Sequence, residues 1–598
     1  MARSDFVHLH THTEYSMLDG AASNERLFAE VARQGMPAVA MTDHGNMFGA
    51  YEFFQIAKKY DGNENPLVKP IIGIEAYVAP SSRHSRKQEF WGRRRGDGGD
   101  PDVEGGKDVS GGGRYTHMTM WAKNPTGLHN LFTLSSLASY EGYYMKPRMD
   151  REIISQYNEG VIASTGCPSG EVQTRLRLGQ FNEAVETAGA YQEIFGKDHY
   201  FCELMDHGVP IERQVRSDLL RLAKKIDAPL LLTNDSHYVN EDDADAHDSL
   251  LCVGVGRNKD DPNRFRFNGS GYYIKSSDEM RSLFPDMPEA ADNTLALTEM
   301  IESYDDVFAH VDRMPQFDVP EGETQESWLR KKIAEGLDEK YGSNPPQEVL
   351  DRIDKELSVI EPLGFSSYFL VVSDICNSAR AMGVPVGPGR GSAAGSMVAY
   401  LTGIIQVNPL EHGLLFERFL NPERVNPPDI DLDFDDRQRD KVIDYVTRKY
   451  GAEYTSQVNT FGKIKAKAAV KDANRILGYP FALGDKITKA MPPDVMGKGV
   501  PLSKIFDPEH PRYAEGTEFR QLVAGNPDVA KVVETARGLE GLIRGTGVHA
   551  CAFILSSAPL LDLVPMHRRD KDGMIIAGFA YPQLEEMGLM KMDFLGLR

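Results

Sequence analysis

The sequence predicts a multidomain α/β protein, and three observations carry that prediction. A chain of 598 residues is too long for one hydrophobic core, so roughly three or four domains are expected. Through the first 240 residues, short apolar runs alternate with stretches of helical periodicity, the pattern of a largely parallel sheet that can close into a barrel. From about residue 346 this gives way to longer amphipathic helices, a glycine-rich turn and a strand of alternating aspartates.

The first run is HLHTHTEYSMLDG, residues 8–20. On an extended segment His8, His10 and His12 point to one side, with Glu14 and Asp19 close behind. Later runs also end in metal-capable residues. AVAMTDHG supplies Asp43 and His44, IIGIEA supplies Glu75, and YTHMTMW supplies His117. VIASTGC supplies Cys167, and LLLTNDSH supplies Asp235 and His237. Helical spacing separates several of them, over 25–34 with Leu27, Phe28 and Val31 on one face, and over 182–195. Each residue has a plain reading alone: His117 as a half-buried strand residue, Cys167 as a small core hydrophobe, Asp235 as a loop-starting residue. Their recurrence where strands end favours a metal centre. A mixed His/Asp/Glu/Cys set suits zinc, manganese or iron better than magnesium alone, and it exceeds the needs of one tetrahedral ion.

HLHTHTEYSMLDG, TDHG, GIEAY, YTH, TGCPSG and NDSH together resemble the PHP (polymerase and histidinol phosphatase) domain. The resemblance implies a distorted (β/α)7 barrel over residues 1–275 that hydrolyses phosphoesters with up to three ions, zinc or a mixed Zn/Mn/Fe cluster. The implied ligands are His10, His12, Asp19, His44, Glu75, His117, Cys167, Asp235 and His237. His8 and Asp43 fall outside that set and are expected to be structural or to orient the ligands. Residues 81–113, rich in glycine and carrying Arg93 to Arg95, are expected to form a mobile surface insertion.

In the second half, Val349, Leu350, Ile353, Leu357 and Ile360 fall at helical spacing, and the apolar segment SSYFLVVSDICNSA follows. In VPVGPGRGSAAGSMVAYLTG, Gly387, Gly389, Gly391 and Gly395 let backbone N–H groups approach an anion, and Ser392 is expected to open a helix aimed the same way. No Gly-Lys-Ser/Thr follows, which disfavours a Walker-type ATPase. Asp429, Asp431 and Asp433 alternate with Ile430, Leu432 and Phe434, so three carboxylates share one face of a strand. Like charges packed this way call for cations between them, and two magnesium ions are the usual partners. Lys463, Lys467 and Lys471, spaced by four, are expected to make one helix face basic and able to follow a phosphate backbone.

GPGRGSAAGS, FERFLNPER, PDIDLDF, TFGKIKAKAAVKD, GVHAC and KMDFLGLR resemble the alpha subunits of bacterial replicative DNA polymerase III, the C-family polymerases. The resemblance covers essentially the whole chain. It implies a polymerase-beta-like nucleotidyltransferase palm over 276–450 and 546–598, and a mainly helical thumb over 451–545. Catalysis would fall to Asp429, Asp431 and Asp593 with two Mg2+ ions, the role of Asp433 being open. Gly391 and Ser392 would hold the incoming triphosphate, with Arg390, Arg418 and Lys591 as positive contacts and Lys463, Lys467 and Lys471 on DNA. The implied partners are primer-template DNA and dNTPs. Fingers, a clamp-binding region, an OB domain and a tau-binding domain would lie beyond residue 598, so a fragment that polymerises poorly is expected. Sliding-clamp and other replisome contacts would belong to those regions.

Composition sets weaker bounds. Hydrophobic content of 41% and charged content of 26% exclude a disordered or fibrous chain. A net charge of −21 argues only weakly against a nucleic-acid partner, since a total says nothing about where charge sits. Five separated cysteines with no CxxC indicate neither a disulfide framework nor a zinc finger. No segment approaches a membrane span or a secretory leader, so a cytoplasmic protein is expected. Two other readings compete: a PHP phosphoesterase for small phosphorylated metabolites, and a PHP cluster that is purely structural.

Overall fold

The computed structural model describes residues 5–92, 108–421 and 428–597. Arg93 to Arg95 and the rest of residues 93–107 of the expected insertion lie outside them. The chain divides into two compact units. The first contains Met1–Phe308, Phe461–Gly547 and Pro565–Arg568, and the second contains the rest.

One sheet organises the first unit. Its strands are β1 (Ala38–His44), β2 (Lys69–Val78), β3 (Thr116–Ala122), β4 (Arg148–Met149), β5 (Val161–Ser164), β6 (Tyr200–Leu204) and β7 (Leu230–Leu232), in the order β1-β2-β3-β5-β6-β7 with β4 beside β2. The expectation of a largely parallel sheet holds except at β3, which runs antiparallel to both β2 and β5. The chain enters β3 at the end where β2 leaves, Val78 pairing with Thr116, so no crossover to the far end of the sheet is needed. Residues 8–13 then curl the sheet. Thr42 N–H donates to the Thr11 carbonyl at 2.8 Å, and His12 N–H donates to the Ser236 carbonyl at 2.7 Å. The first segment is thereby laid between β1 and the chain leaving β7, with its histidines inside.

Helices cover the sheet as the spacing predicts. Asn24–Arg33 buries Leu27, Phe28 and Val31, and Phe181–Phe195 buries Ala184, Ala188, Tyr191 and Phe195. Residues 461–547 are largely helical. Ala466–Ile476 and Pro527–Leu539 pack against Ala244–Val255 around Val470, Val532 and Leu250.

The later strands are β8 (Leu432–Asp435), β9 (Thr455–Lys463), β10 (Ile543–Leu555), β11 (Met566–Arg568), β12 (Ile575–Ala580) and β13 (Met590–Leu597). β11 belongs to the first unit, where Met566 N–H donates to Ser136 Oγ at 2.8 Å. The sheet of the second unit runs β12-β9-β10-β13-β8. β13 lies parallel to β8, pairing Phe594 with Leu432, and antiparallel to β10, pairing Asp593 with Ala552. Leu432, Phe434, Phe553 and Phe594 pack behind the carboxylate face, with helices Gln347–Ile360 and Ser366–Ala381 in the same core. Alternation therefore sends the aspartates of β8 and β13 to the other face.

Candidate metal centres

The first centre sits where the strands of the first sheet end. His44 closes β1 directly beside Glu75 of β2, and the two are register partners. His44 Nδ1 lies 2.6 Å from Glu75 Oε2, and His117 Nδ1 of β3 lies 3.0 Å from Glu75 Oε1. Asp19 Oδ2 is 3.0 Å from His44 Nε2, and Cys167 Sγ is 3.6 Å from His117 Nδ1. Asp235 Oδ1 stands 3.3 Å from His10 Nε2 and 3.1 Å from His12 Nε2. His237 approaches Asp19 Oδ1 at 3.8 Å. All nine residues singled out in the sequence meet around one point.

The residues outside that set shape the loop. Asp43 accepts from Thr13 N–H at 2.7 Å, Thr13 Oγ1 at 2.8 Å and Ser16 Oγ at 2.6 Å, pinning the turn that carries Asp19. Gly20 has no room for a side chain, since a Cβ there would fall 2.0 Å from the Thr13 carbonyl oxygen. His8 contacts the Lys275 carbonyl through Nε2 at 2.9 Å and takes no part in the centre. Asp235 adopts a left-handed backbone (φ 42°), an uncommon conformation outside glycine that aims its carboxylate inward.

The hydrogen bonds fix the tautomers. His10 Nδ1 lies 2.6 Å from the buried Glu203 carboxylate, so Nδ1–H donates there and Nε2 faces the centre. Ser16 gives its proton to Asp43, so His12 Nδ1, 2.9 Å from Ser16 Oγ, must donate and Nε2 again turns inward. His237 Nδ1 donates to the Asp235 carbonyl at 2.8 Å. Oδ1 of Asp19 and Nε2 of His237 are buried without a hydrogen-bond partner, and both oxygens of Glu75 and Oδ1 of Asp235 face imidazole nitrogens without hydrogen-bonding alignment. Buried acceptors left in this state are costly, and a cluster of cations satisfies them together. The donor set fits zinc, manganese or iron. Without a cation, protons compensate. Burial opposes charge on His10, yet Asp235 and Glu203 outweigh it and hold the imidazole well above its ordinary value. Burial, aided by His44 and His237, drives His12 down to about 3. A cavity of 1120 Å³ opens onto this centre, lined by Asp19, His44, Glu75 and His117 and rimmed by Lys146 and Arg257.

Glu203 is the residue that sequence reasoning missed. It sits fully buried in YFCEL of β6, where Oε1 also accepts from Thr233 Oγ1 at 2.7 Å and Oε2 accepts from Ser164 Oγ. The one available signal was a lone carboxylate inside an apolar strand.

In the second unit, ligand oxygens of Asp429, Asp431 and Asp593 lie within 4.8 Å of one another. Lys591 Nζ holds Asp593 Oδ2 at 2.6 Å and donates to Tyr581 OH at 2.7 Å. Burial opposes the charge on Lys591, but Asp593 and Tyr581 outweigh it and raise the amine. Burial, then Asp593 and Asp431, raise the Asp429 carboxyl against the pull of Lys591. Asp593 Oδ1 is buried with no hydrogen-bond partner. Three carboxylates facing one lysine fit hard divalent ions with oxygen ligands. Asp433 is set apart from this group. Its carboxylate takes Arg390 Nη1 at 3.1 Å while Arg390 Nε stands 3.7 Å from Asp431 Oδ2, and its Cβ side abuts Gly387, where a Cβ would come within 2.7 Å.

The strand expected to carry Asp429, Asp431 and Asp433 begins only at Leu432, so Asp429 and Asp431 lie in the segment leading into β8, and other expectations also need correction. Ser392 opens only the four-residue 3-10 turn Ser392–Gly395; the helix Met397–Leu401 is capped by Ser396 instead. Buried Glu356 already accepts from Met397 N–H at 2.8 Å, Val398 N–H at 2.9 Å and Ser396 Oγ at 2.7 Å, which occupies that positive helix end. Gly391 itself keeps a left-handed φ of 62°. Arg418 is exposed on the turn Phe416–Arg418, and no contact ties it to the aspartates. The lysine stripe also fails as a helix face. Lys463 ends strand β9 and pairs with Glu14 at 3.4 Å, because the helix begins only at Ala466. Lys467 pairs with Asp494 at 3.0 Å, and Lys471 lies over the Phe481 ring.

Comparison with known proteins gives two family matches. Residues 8–207 match the PHP domain, and residues 327–596 match the bacterial DNA polymerase III alpha NTPase domain. The chain is 58% identical over 595 residues to the DNA polymerase III subunit alpha of Saccharopolyspora erythraea, covering 99% of this chain and 49% of that protein. It is 55% identical to the subunit alpha of Mycobacterium tuberculosis, covering 100% of this chain and 50% of the relative. Identity to the subunit alpha of Thermus aquaticus is 39%, covering 99% of this chain and 51% of the relative. The chain spans about half the length of the curated relatives it matches. Among the described residues no helix is long and apolar enough to cross a membrane.

Proposed function

This chain belongs to the family of DNA polymerase III alpha subunits, and on that premise we propose two activities for its two centres. The palm adds dNTPs to a primer 3′-hydroxyl, and the PHP centre removes nucleotides from a 3′ end as a proofreading exonuclease. The observation that carries the reading is the contrast between the donor sets. Asp429, Asp431 and Asp593 offer only carboxylate oxygens, suited to two Mg2+ ions, whereas the PHP cluster offers imidazole nitrogens, carboxylates and a thiol, suited to zinc, manganese or iron.

In the palm, bound magnesium would supply charge neutralisation and a more acidic primer hydroxyl. The chain's own residues do the positioning. Asp429, Asp431 and Asp593 fix where reacting oxygens come together, and Lys591, tethered by Tyr581, offers a positive charge beside them. Arg390 rests on Asp433 and can swing to the triphosphate held at Gly391 and Ser392, with Arg418 as a further contact. Residues 276–450 and 546–598 form the palm in this reading, and 451–545 the thumb. Lys463, Lys467 and Lys471 serve DNA as separate contacts rather than one helix face.

In the PHP centre, bound ions would neutralise phosphate oxygens and supply the hydrolytic nucleophile. His10, His12, Asp19, His44, Glu75, His117, Cys167, Asp235 and His237 would hold them, and Lys146 at the cavity would draw in the phosphodiester. Clamp and replisome partners would engage parts of the longer relatives outside the stretch matched here, and the compartment would be the cytoplasm. One observation favours a second, structural reading of this centre: His10 and His12 are fully buried in the segment that curls the sheet.

Degradation of a 3′-mismatched primer by this chain, beside a His10→Ala variant followed by thermal melting, decides between them. Activity lost in a variant that still folds supports the exonuclease. No degradation by either, with a lowered melting point in the variant, makes the centre a structural staple.

A further inference from the structure

A second cavity, of 580 Å³, reaches the PHP centre from another side. It shares Asp19, His44, Tyr77, Lys146, Val255 and Phe265 with the larger one. One wall is the loop of residues 141–147, and Arg568 stands at the same mouth. We propose that this cavity docks the last nucleotides of a single-stranded 3′ end, with Tyr143 and Met145 stacking on bases and Lys146 and Arg568 holding phosphates. The inference rests on the phosphodiester-hydrolysing reading of the centre and adds where the strand lies.

Three features of the loop support it. Tyr143 is 38% exposed and Met145 66% exposed, and they sit at the entrance to a polar, cation-ready cluster. An aromatic side chain in such a place matches the stacking platforms of single-strand binders, which accept any base because every base has a π-face, and Met145 adds an apolar contact beside it. Met145 also holds a left-handed backbone (φ 67°), kept in place where Tyr144 N–H closes onto the Lys146 carbonyl at 3.0 Å. A bulky residue in that region is uncommon and collects at functional sites.

The charges agree. Lys146 Nζ lies over the Tyr77 ring at 5.2 Å, and Arg568 reaches the Tyr140 carbonyl; neither makes an ion pair among the described residues. Arg257 and Arg264, on the larger cavity, are paired with Asp261 and Asp248. Cations without a carboxylate partner are the ones available to a phosphate chain. The volume is that of a pocket for one small ligand, so it takes about two nucleotides of one strand and excludes a duplex. A mismatched, frayed end would enter where a paired end cannot.

A short oligothymidylate with phosphorothioate linkages at its 3′ end and 4-thiothymidine at the penultimate position tests this. Photo-crosslinking is expected to label residues 141–147. A folded Tyr143→Ala/Lys146→Ala double variant should bind the oligonucleotide about tenfold more weakly, the scale of one lost base stack. Crosslinks only elsewhere, or unchanged affinity in the double variant, would overturn the groove. The same 4-thiothymidine oligonucleotide without the phosphorothioates separates the two ideas. Crosslinking in the loop without cleavage sinks the hydrolytic reading and leaves the groove standing, whereas cleavage with crosslinks elsewhere does the reverse.

Discussion

His10 Nε2 and His12 Nε2 lie 3.2 Å apart, while Nδ1 of each ring is committed elsewhere, to Glu203 and to Ser16. Two inward-facing nitrogens so placed cannot both keep a lone pair aimed at the other without a proton or a cation between them. This pair is the local reason the centre calls for metal, and the predictions start from it.

Glu203→Gln keeps the side-chain volume but removes the carboxylate that holds His10 in its tautomer. Metal affinity is expected to fall by about 10- to 100-fold with the fold retained, the usual cost of losing such a support. Competition against a chromophoric chelator measures it, and unchanged affinity would place Glu203 outside the centre's function.

Stripping the metals should lower the melting temperature. At a hundredfold excess over Kd, a bound ion contributes about 2.7 kcal/mol, so a drop of roughly 3 °C per bound ion is expected for a unit of this size. Calorimetry with and without chelator, with metal content measured in parallel, reads this out. An unmoved transition in verified apo protein would show that the buried acceptors are satisfied some other way.

Asp429→Ala or Asp431→Ala, in a chain extended to the full length of the relatives, is expected to abolish primer extension and to leave 3′ hydrolysis intact. Extension and mismatch removal are measured on the same labelled primer. Surviving extension would move the catalytic carboxylates away from Asp429 and Asp431 in the segment leading into β8.

Lys275 gives a pH signature. Burial lowers its amine to about 8, against opposing pulls from Glu279 and Glu212. Nζ donates to Asn234 Oδ1 at 2.7 Å and to the Gly271 carbonyl. Between that value and the ordinary 10.5, the folded chain has shed a proton the unfolded chain still binds, so stability gains as pH rises through the window. Relative to Lys275→Met, the parent should gain up to about 3 kcal/mol from pH 7 to pH 10. Paired denaturant melts at the two pH values check this, and a constant difference would contradict it.

Much of the PHP centre was legible because strands display alternate residues and end at loops. His10, His12, His44, Glu75 and His117 stand out where period-two alternation stops. Glu203 was not legible, since nothing in YFCEL says that one strand's carboxylate meets another strand's histidine. Glu356 was hidden in the same way. On helix Gln347–Ile360 it reads as a polar-face residue between Ile353 and Leu357, yet it is fully buried and caps a helix some forty residues away. Lys463 misled because spacing of four was counted across the end of β9, where the helical repeat does not apply.

The sequence by itself determined the donor types, the α/β class, and the helices expected over 25–34, over 182–195 and from Val349 to Ile360, because these depend on local periodicity and side-chain chemistry. Tertiary structure alone decided the reversal of β3, the tautomers of His10 and His12, the pairing of Asp433 with Arg390 rather than with the other aspartates, and the occupation of the Met397–Leu401 helix end by Glu356. Each of these depends on which distant groups share a buried volume. Burial, rather than spacing, makes an unmet hydrogen bond costly enough to choose among arrangements that local sequence leaves equal.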